Sequence, residues 1–202
     1  MPRIAEARPP AEPSSPEQVA RHRRILRSAA TLGAEKGLER VQMQEVARDA
    51  GVAIGTLYRY FPSKTHLFTA VMADQVDRLD RSTTLPRPGV DPEETVRQML
   101  TGITRQFLRK PALALAMMQS NNAAHAATVT DTARIDGEFH DIILRALGID
   151  EPTVRDLDLV RLLIHCWYGI LTSTLNGRMS MVDAENDIRQ ACRLLLAPRS
   201  NT

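Results

Sequence analysis

The stretch that decides the fold is residues 41–68, which read VQMQEVARDAGVAIGTLYRYFPSKTHLF. Its pattern predicts two short helices, at about residues 43–50 and 53–60, with Gly51 between them. Glycine can adopt the positive φ that a tight turn needs, and Ala47 is small where the two helices must approach closely. These features predict a helix-turn-helix, the unit whose second helix enters the major groove of DNA.

The second helix of this unit has an inner and an outer side. Inward apolar contacts are expected from Val52, Leu57 and Phe61. The residues expected to point outward are Ile54, Thr56, Arg59 and Tyr60. The alternative interpretation is that the tyrosines of this helix serve packing and that Arg59 is merely solvated.

The segments around this unit divide the chain into an arm and two domains. Residues 1–14 carry four prolines and are expected to form a flexible arm. Arg3 and Arg8 could follow a DNA backbone or a minor groove, or the arm could be a tail with no specific role. We predict a three-helix, helix-turn-helix DNA-binding domain at residues 15–81 and a helical ligand-binding and dimerisation domain at residues 90–197.

Cap signals indicate where helices begin and end. Ser15 with Pro16 predicts the start of the first helix, and Gly37 predicts its end. Asp91 with Pro92 restarts helix formation after a linker marked by Pro86, Pro88 and Gly89. Aromatic residues make up only 4% of the chain, and no stretch alternates apolar and polar residues over the length of a strand. The predicted fold class is therefore all-α.

Composition and charge narrow the classes of function. Two cysteines offer no disulfide framework, and neither a signal peptide nor an apolar membrane span is recognisable. We therefore expect a cytoplasmic, nucleoid-associated protein without a membrane partner. Residues 1–73 contain 11 Lys and Arg against 7 Asp and Glu, whereas residues 74–202 contain 15 against 17. The excess of basic residues in the first part is what DNA binding needs.

The stretch 41–68 resembles the signature of the TetR family of bacterial repressors. The matching positions are Val46, Ala47, Ala50, Gly51, Val52, Gly55, Thr56, Leu57, Tyr58, Phe61, Lys64 and Leu67. The chain departs from that pattern at Gln42 and Ala53, where the family often has Ser or Thr, and at Tyr60, where it often has His. With RPPAEPSS upstream, the stretch is also similar to the actinobacterial repressors of sterol catabolism within the family.

The resemblance implies a role for each candidate DNA contact. Thr56 and Arg59 would read base edges, and Ile54 would contact a thymine methyl group. Gly55 would let the backbone approach DNA closely. Phosphates would be positioned by Tyr58, Tyr60 and Lys64, and by Gln42 and Gln44 in place of the missing hydroxyls.

The second domain contains candidate residues for dimerisation and for ligand binding. Two apolar stripes on the helix near residues 154–175, and the final helix, predict a homodimer interface. The alternative is a helix that is fully buried inside a monomer. The candidate residues of the interface are Leu159, Leu162, Cys166, Ile170, Ile188, Ala191 and Leu195.

A pocket for a small apolar effector could be lined by Met99, Ile103, Phe107, Met117, Met118, Asn121, Asn122, Phe139, His140, Ile143 and Trp167. Ordinary core packing is the alternative for each of these residues.

The sequence thus predicts a repressor that binds double-stranded operator DNA as a dimer. The resemblance implies control of lipid or sterol catabolism and release by a steroid or acyl-CoA thioester. The rival hypotheses are an enzyme and a helical adaptor without a DNA site. Asp136, His140 and Asp141 cluster on one helix, but no second His follows at metal-ligand spacing and no nucleophile motif is present. We therefore predict no catalytic residue, metal or cofactor.

Overall fold

The computed structural model describes residues 10–82, 89, 91–124 and 129–196. These residues form helices and connecting segments, without a strand, so the all-α prediction is confirmed. The helices are α1 Pro16–Arg40, α2 Met43–Asp49, α3 Ile54–Tyr60, α4 Lys64–Ser82, α5 Pro92–Leu108, α6 Pro111–Ala123, α7 Thr130–Ala146, α8 Val154–Leu175 and α9 Met181–Leu196. Arg3, Arg8, Pro86, Pro88 and residue 197 lie outside the described residues.

The helix limits follow the local chemistry of the sequence. Ser15 accepts a hydrogen bond from the Gln18 amide at 3.3 Å, and Pro16 occupies the first turn. Gly37 has a φ of 72°, which interrupts α1 as a glycine at a helix end does. A short helical segment continues to Arg40, three residues beyond Gly37.

An N-terminal core lies among α1, α2, α3, α4 and α6. Its buried side chains include Ile25, Leu57, Phe68, Leu113 and Met117. The backbone of α1 approaches this core closely at Gly33, where an added Cβ would lie 2.6 Å from Phe68 Cε1 and 3.2 Å from Leu113 Cδ1. The DNA-binding part of the chain is therefore packed partly by a helix from beyond residue 90.

A C-terminal core lies among α4, α5, α6, α7, α8 and α9. Its buried side chains include Leu100, Met118, Ile142, Leu163 and Ile188. Helix α4 contributes to both cores and is tied to α7 by ion pairs: Arg134 contacts Asp77 at 2.6 Å, and Arg145 contacts Asp80. The two cores thus share α4 and α6, which join the predicted domains.

Candidate nucleic-acid interface and effector pocket

Helices α2 and α3 form the predicted helix-turn-helix. Gly51 has a φ of 64° between them, and the Val52 amide donates to the Ala47 carbonyl at 2.9 Å to close the turn. Leu57 and Phe61 are buried in the N-terminal core and fix the inner side of α3. The helix is only seven residues long, so these tertiary contacts, rather than helix propensity, hold it in place.

Most of the predicted DNA contacts lie on the exposed side of this unit. Thr56 is half-buried. The exposed residues are Gln42, Gln44, Ile54, Gly55, Tyr58 and Arg59. A Cβ added at Gly55 would meet no protein atom within 4 Å, so the backbone there is open to a close approach. The exposed side of α3, together with the start of α2, is therefore available to a partner molecule.

Tyr60 does not point outward as the sequence pattern predicted. Its side chain is only 2% exposed, and its ring packs edge-on against His22 with 5.6 Å between the ring centroids. The Tyr60 hydroxyl accepts a hydrogen bond from Arg59 Nη2 at 3.2 Å. Residue 60 ends α3 next to Phe61, and α1 covers this end, so the ring belongs to the N-terminal core. The prediction of its orientation was wrong.

Lys64 has protein partners in addition to any role at DNA. Its ammonium donates to the Leu38 carbonyl at 3.0 Å and to the Glu39 carbonyl at 3.3 Å. These carbonyls lie at the end of α1, where backbone acceptors lack helical partners. A phosphate contact by Lys64 would use its remaining donor or the amides at the start of α4.

The arm makes a backbone contact with α3 that the sequence did not indicate. The Ala11 amide donates to the Arg59 carbonyl at 2.9 Å, and the Ala11 side chain packs against the N-terminal core. The described end of the arm, from Pro10 onward, is therefore docked and not free. No apolar periodicity marks residues 10–14, so only the folded arrangement of α1 and α3 reveals this contact.

The aromatic and aliphatic candidates for an effector pocket meet in the C-terminal core. Phe139 and Trp167 stack with 5.2 Å between ring centroids, and Trp167 Nε1 donates to Thr104 Oγ1 at 3.0 Å. The buried candidates in this core are Ile103, Met118, Phe139, Ile143 and Trp167, while Met99 and Phe107 are half-buried at its edge. Thr104 was missed by the sequence reading because one threonine within a helix carries no distinctive signal.

Met117 lies apart from that group. It is 2% exposed within the N-terminal core, whereas Met118 is 3% exposed within the C-terminal core. Adjacent positions on a helix diverge by about 100°, so the two methionines pack into different cores. The prediction that both line one pocket in the second domain was wrong for Met117.

Polar groups near the end of α6 are candidate anchors for a ligand. Ser120 Oγ and Asn121 Oδ1 are buried, and neither has a hydrogen-bond partner among the described residues. Asn122 is exposed and accepts a hydrogen bond from the Tyr168 hydroxyl at 2.8 Å. Sequence reasoning missed Ser120 and Tyr168, since burial and this pairing across helices are visible only in the fold.

His140 is half-buried on α7, beside Asp136. Burial lowers the pKa of His140, and the neighbouring carboxylates of Asp136 and Asp141 oppose that shift. Burial also raises the pKa of Asp136. The described residues contain no group of three or more His, Cys, Asp or Glu side chains placed to hold a metal ion.

The predicted dimer residues fall into two sets. Leu162 is 46% exposed, Cys166 is also exposed, and Leu159 and Leu195 are half-buried. The remaining three, Ile170, Ile188 and Ala191, are buried within the chain. They lie in the C-terminal core and are covered by other helices of the same chain, so they offer little surface to a partner. Exposed apolar side chains that the prediction omitted are Val154, Leu157, Val182 and Leu194.

Comparisons with known proteins agree with this architecture. Residues 25–71 match the family described as bacterial regulatory proteins, tetR family, and residues 89–195 match the tetracyclin repressor-like, C-terminal domain. The chain is 36% identical over 187 residues to the HTH-type transcriptional repressor KstR of Rhodococcus jostii (strain RHA1), covering 93% of this chain and 88% of that protein. The chain belongs to the TetR family. It is a TetR-type transcriptional repressor and not an enzyme.

Two solved structures place this TetR-family chain among its relatives. A TetR transcriptional regulator from Rhodococcus sp. RHA1 has a TM-score of 0.85 and 52% identity, with 91% of this chain and 100% of that chain covered. Thermus thermophilus FadR, a TetR-family repressor solved in complex with lauroyl-CoA, has a TM-score of 0.60 and 20% identity, with 90% and 98% covered. At that identity, the second likeness is one of fold alone. None of the described helices has the length and apolar character needed to cross a membrane.

Proposed function

We propose that this repressor binds a near-palindromic operator as a homodimer and that a steroid-derived or acyl-CoA-type ligand releases it. The observation that carries the DNA-binding part is the exposed face of α3, formed by Ile54, Tyr58 and Arg59 on a helix fixed from behind by Leu57 and Phe61. Side chains on a rigidly held helix can read base edges in the major groove. Because its target is DNA, we expect the protein at the nucleoid, in the cytoplasm.

The dimer is supported by the apolar surface of α8 and α9. Leu162 is 46% exposed and Leu194 is 72% exposed, and Cys166 is also exposed. A two-fold pairing of these helices would cover the exposed leucines with their symmetry copies. Two recognition helices spaced by about one DNA turn, roughly 34–36 Å, would then require a near-palindromic site.

The ligand class is supported by the sterol-catabolism repressors among the relatives and by the C-terminal core. KstR proteins from actinobacteria are similar to this chain over nearly its whole length. The stacked Phe139 and Trp167 offer flat apolar surfaces suited to a fused-ring molecule. Asn121 Oδ1 and Ser120 Oγ, which have no hydrogen-bond partner among the described residues, offer polar anchors. We expect control of genes for sterol or lipid breakdown.

The experiment that tests this function is selection of fragments bound by the protein from its source genome. Binding of the selected fragment is then compared with random DNA over a series of salt concentrations. We expect a palindromic fragment that is held far more tightly than random DNA. Weak binding alone, steeply dependent on salt and without enrichment, would contradict operator recognition, because such binding is what backbone phosphates supply to any sequence.

A further inference from the structure

Arg59 and Tyr60 lie at the end of α3, and their side chains are in contact although they differ in exposure. Arg59 is exposed, whereas Tyr60 is only 2% exposed. Arg59 Nη2 donates to the Tyr60 hydroxyl at 3.2 Å, and the guanidinium carbon lies 5.0 Å from the centre of the Tyr60 ring. A buried residue therefore holds the charged end of a surface residue that is a candidate for reading DNA bases.

The Tyr60 ring is itself fixed by its surroundings. The His22 ring of α1 meets it edge-on, with 5.6 Å between the ring centroids and 83° between the ring planes. The Phe61 ring lies 4.9 Å from His22 and 6.3 Å from Tyr60, again between centroids. A hydroxyl on a ring packed in this way moves little, so it offers Arg59 an anchor that is fixed to the N-terminal core.

The main chain of Arg59 is held by the arm. Carbonyl groups in the last turn of a helix have no partner within that helix. The Arg59 carbonyl instead accepts a hydrogen bond from the Ala11 amide at 2.9 Å. The backbone of residue 59 is thus held through Ala11 and its side chain through Tyr60, both in the free protein.

The hydrogen bond to Tyr60 leaves Arg59 able to bind a base. A guanidinium group has five N–H donors, and the bond to Tyr60 uses one of them. Among the described residues, no carboxylate pairs with Arg59. Two of its other donors suffice for paired hydrogen bonds to O6 and N7 of a guanine in the major groove, which is the commonest base-specific contact of arginine. The contacts with Tyr60 and with a guanine can therefore exist together.

We propose that Tyr60 is a positioning residue that holds the guanidinium group of Arg59 for reading a guanine in the operator, an inference that rests on the proposed function. An arginine side chain loses rotamer freedom when it binds. A side chain that is already held in the free protein loses less, and it favours the base that matches its orientation. Tyr60 thus contributes to discrimination among bases through Arg59, and not through a phosphate contact of its own.

The test measures discrimination among bases by the full-length protein, using fluorescence anisotropy. The probes are the selected operator and duplexes that carry each other base pair at the guanine position where Arg59→Ala loses its discrimination. Tyr60→Phe removes the hydroxyl and keeps the packed ring. We expect it to reduce discrimination at that position by about three- to tenfold, the effect of one net hydrogen bond, and to leave other positions unchanged. Arg178→Ala, exposed in the turn between α8 and α9, is the control and should behave like the wild type.

Two further measurements separate positioning from a merely structural role. In the Arg59→Ala background, Tyr60→Phe should cause no further loss of discrimination, because the side chain that it positions is absent. In the free protein, the NMR order parameter of the Arg59 Nε–H bond should be lower in Tyr60→Phe than in the wild type. A merely structural role of Tyr60 would instead weaken binding to all duplexes alike.

Three results for Tyr60→Phe would overturn the inference: full discrimination, an equal loss on all duplexes, or tighter binding to the operator. Tighter binding would show that Tyr60 holds Arg59 away from DNA. If the wild type selects an operator and Tyr60→Phe gives one of these results, the positioning role fails alone. If the wild type selects no operator, the proposed function fails and the inference fails with it.

Discussion

The two cores of this repressor differ in where their candidate functional residues lie: on the protein surface for the N-terminal core and in the interior for the C-terminal core. Around the N-terminal core, the candidate DNA contacts Ile54, Tyr58 and Arg59 face outward, while the interior is filled by residues such as Phe68. In the C-terminal core, the candidate ligand contacts Phe139 and Trp167 are themselves interior residues. Substitutions in the surface site can therefore leave the N-terminal core unchanged, whereas substitutions in the internal site also change the packing of the C-terminal core.

The largest expected effects come from the adjacent methionines of α6. Met117→Ala and Met118→Ala should each lower the free energy of unfolding by about 2–5 kcal/mol, because each leaves a cavity in a packed core. Denaturant unfolding measures the loss, and hydrogen exchange locates it. We expect Met117→Ala to reduce protection first in α1 and Met118→Ala to reduce it first in α8. The same pattern of lost protection in both variants would show that the two cores open as a single unit.

Arg59→Ala should weaken binding to the selected operator by about 1–3 kcal/mol, and should lower stability by about 0.5–1.5 kcal/mol because it removes the hydrogen bond to the Tyr60 hydroxyl. Arg59 is exposed, and its guanidinium group lies 5.0 Å from the centre of the Tyr60 ring in the free protein. Fluorescence anisotropy with operator and with random DNA measures the effect. An equal loss on both DNAs would mean that Arg59 contacts phosphates and does not read bases, and Arg178→Ala serves as the control.

A matched pair on α5 tests the polar interior of the C-terminal core. Thr104→Val should cost about 1–3 kcal/mol, because it leaves the buried indole N–H of Trp167 without its acceptor. Thr101→Val should be close to neutral, since the Thr101 hydroxyl is buried and has no hydrogen-bond partner among the described residues. Urea unfolding of both variants measures the difference. Equal losses would mean that the indole hydrogen bond does not stabilise the core.

The smallest expected effects come from two histidines, one near each core. Burial lowers the pKa of His22, with Asp131 and Asp74 opposing the shift, and burial likewise lowers the pKa of His140. As the pH is lowered, each histidine of the unfolded chain takes up a proton near pH 6.5, whereas the same histidine in the folded chain does so only at a lower pH. The free energy of unfolding should therefore fall as the pH decreases through 6.5 toward the folded pKa values.

His22→Gln and His140→Gln should each remove part of this pH dependence. Urea unfolding on either side of pH 6.5 measures it for both variants and for the wild type. If His22→Gln retains the full dependence, the ring of His22 is not protected from water by Tyr60 and Phe61. The His140 variant shows in the same experiment whether the contribution from the second core is separate.

Local patterns predicted the fold well because they act over a few residues. Gly51 and Gly37 mark the turn and the end of a helical segment, and both have the positive φ expected of them. The candidate site was predicted less completely. Position 60 follows the exposed Arg59 on a short helix, and only the docking of α1 shows that Tyr60 is buried. Likewise, Lys64 hydrogen-bonds to carbonyls about 25 positions earlier in the chain, a distance that no local pattern reports.

The predicted ligand residues show the same limit. Met117 and Met118 have one chemistry and adjacent positions, so the sequence cannot assign them to different cores. That assignment follows from the orientation of α6 between α1 and α8. Likewise, the apolar stripes of α8 and α9 predicted a dimer surface, but Ile188 is buried within the chain. An apolar stripe predicts that a helix face is buried, but it does not predict whether the same chain or a second protomer buries it.

The packing of α6 against both cores has a consequence for how such repressors can be divided and recombined. A fragment ending at residue 82 would lose Leu113 and Met117 and would expose Phe68 and the surface of α1 around Gly33. We therefore expect it to aggregate instead of folding into an isolated DNA reader. A hybrid that joins this DNA-binding half to another sensory half would have to retain the face of α6 that meets α1. The segment that must be transferred to keep DNA recognition is thus longer than the segment that contacts DNA.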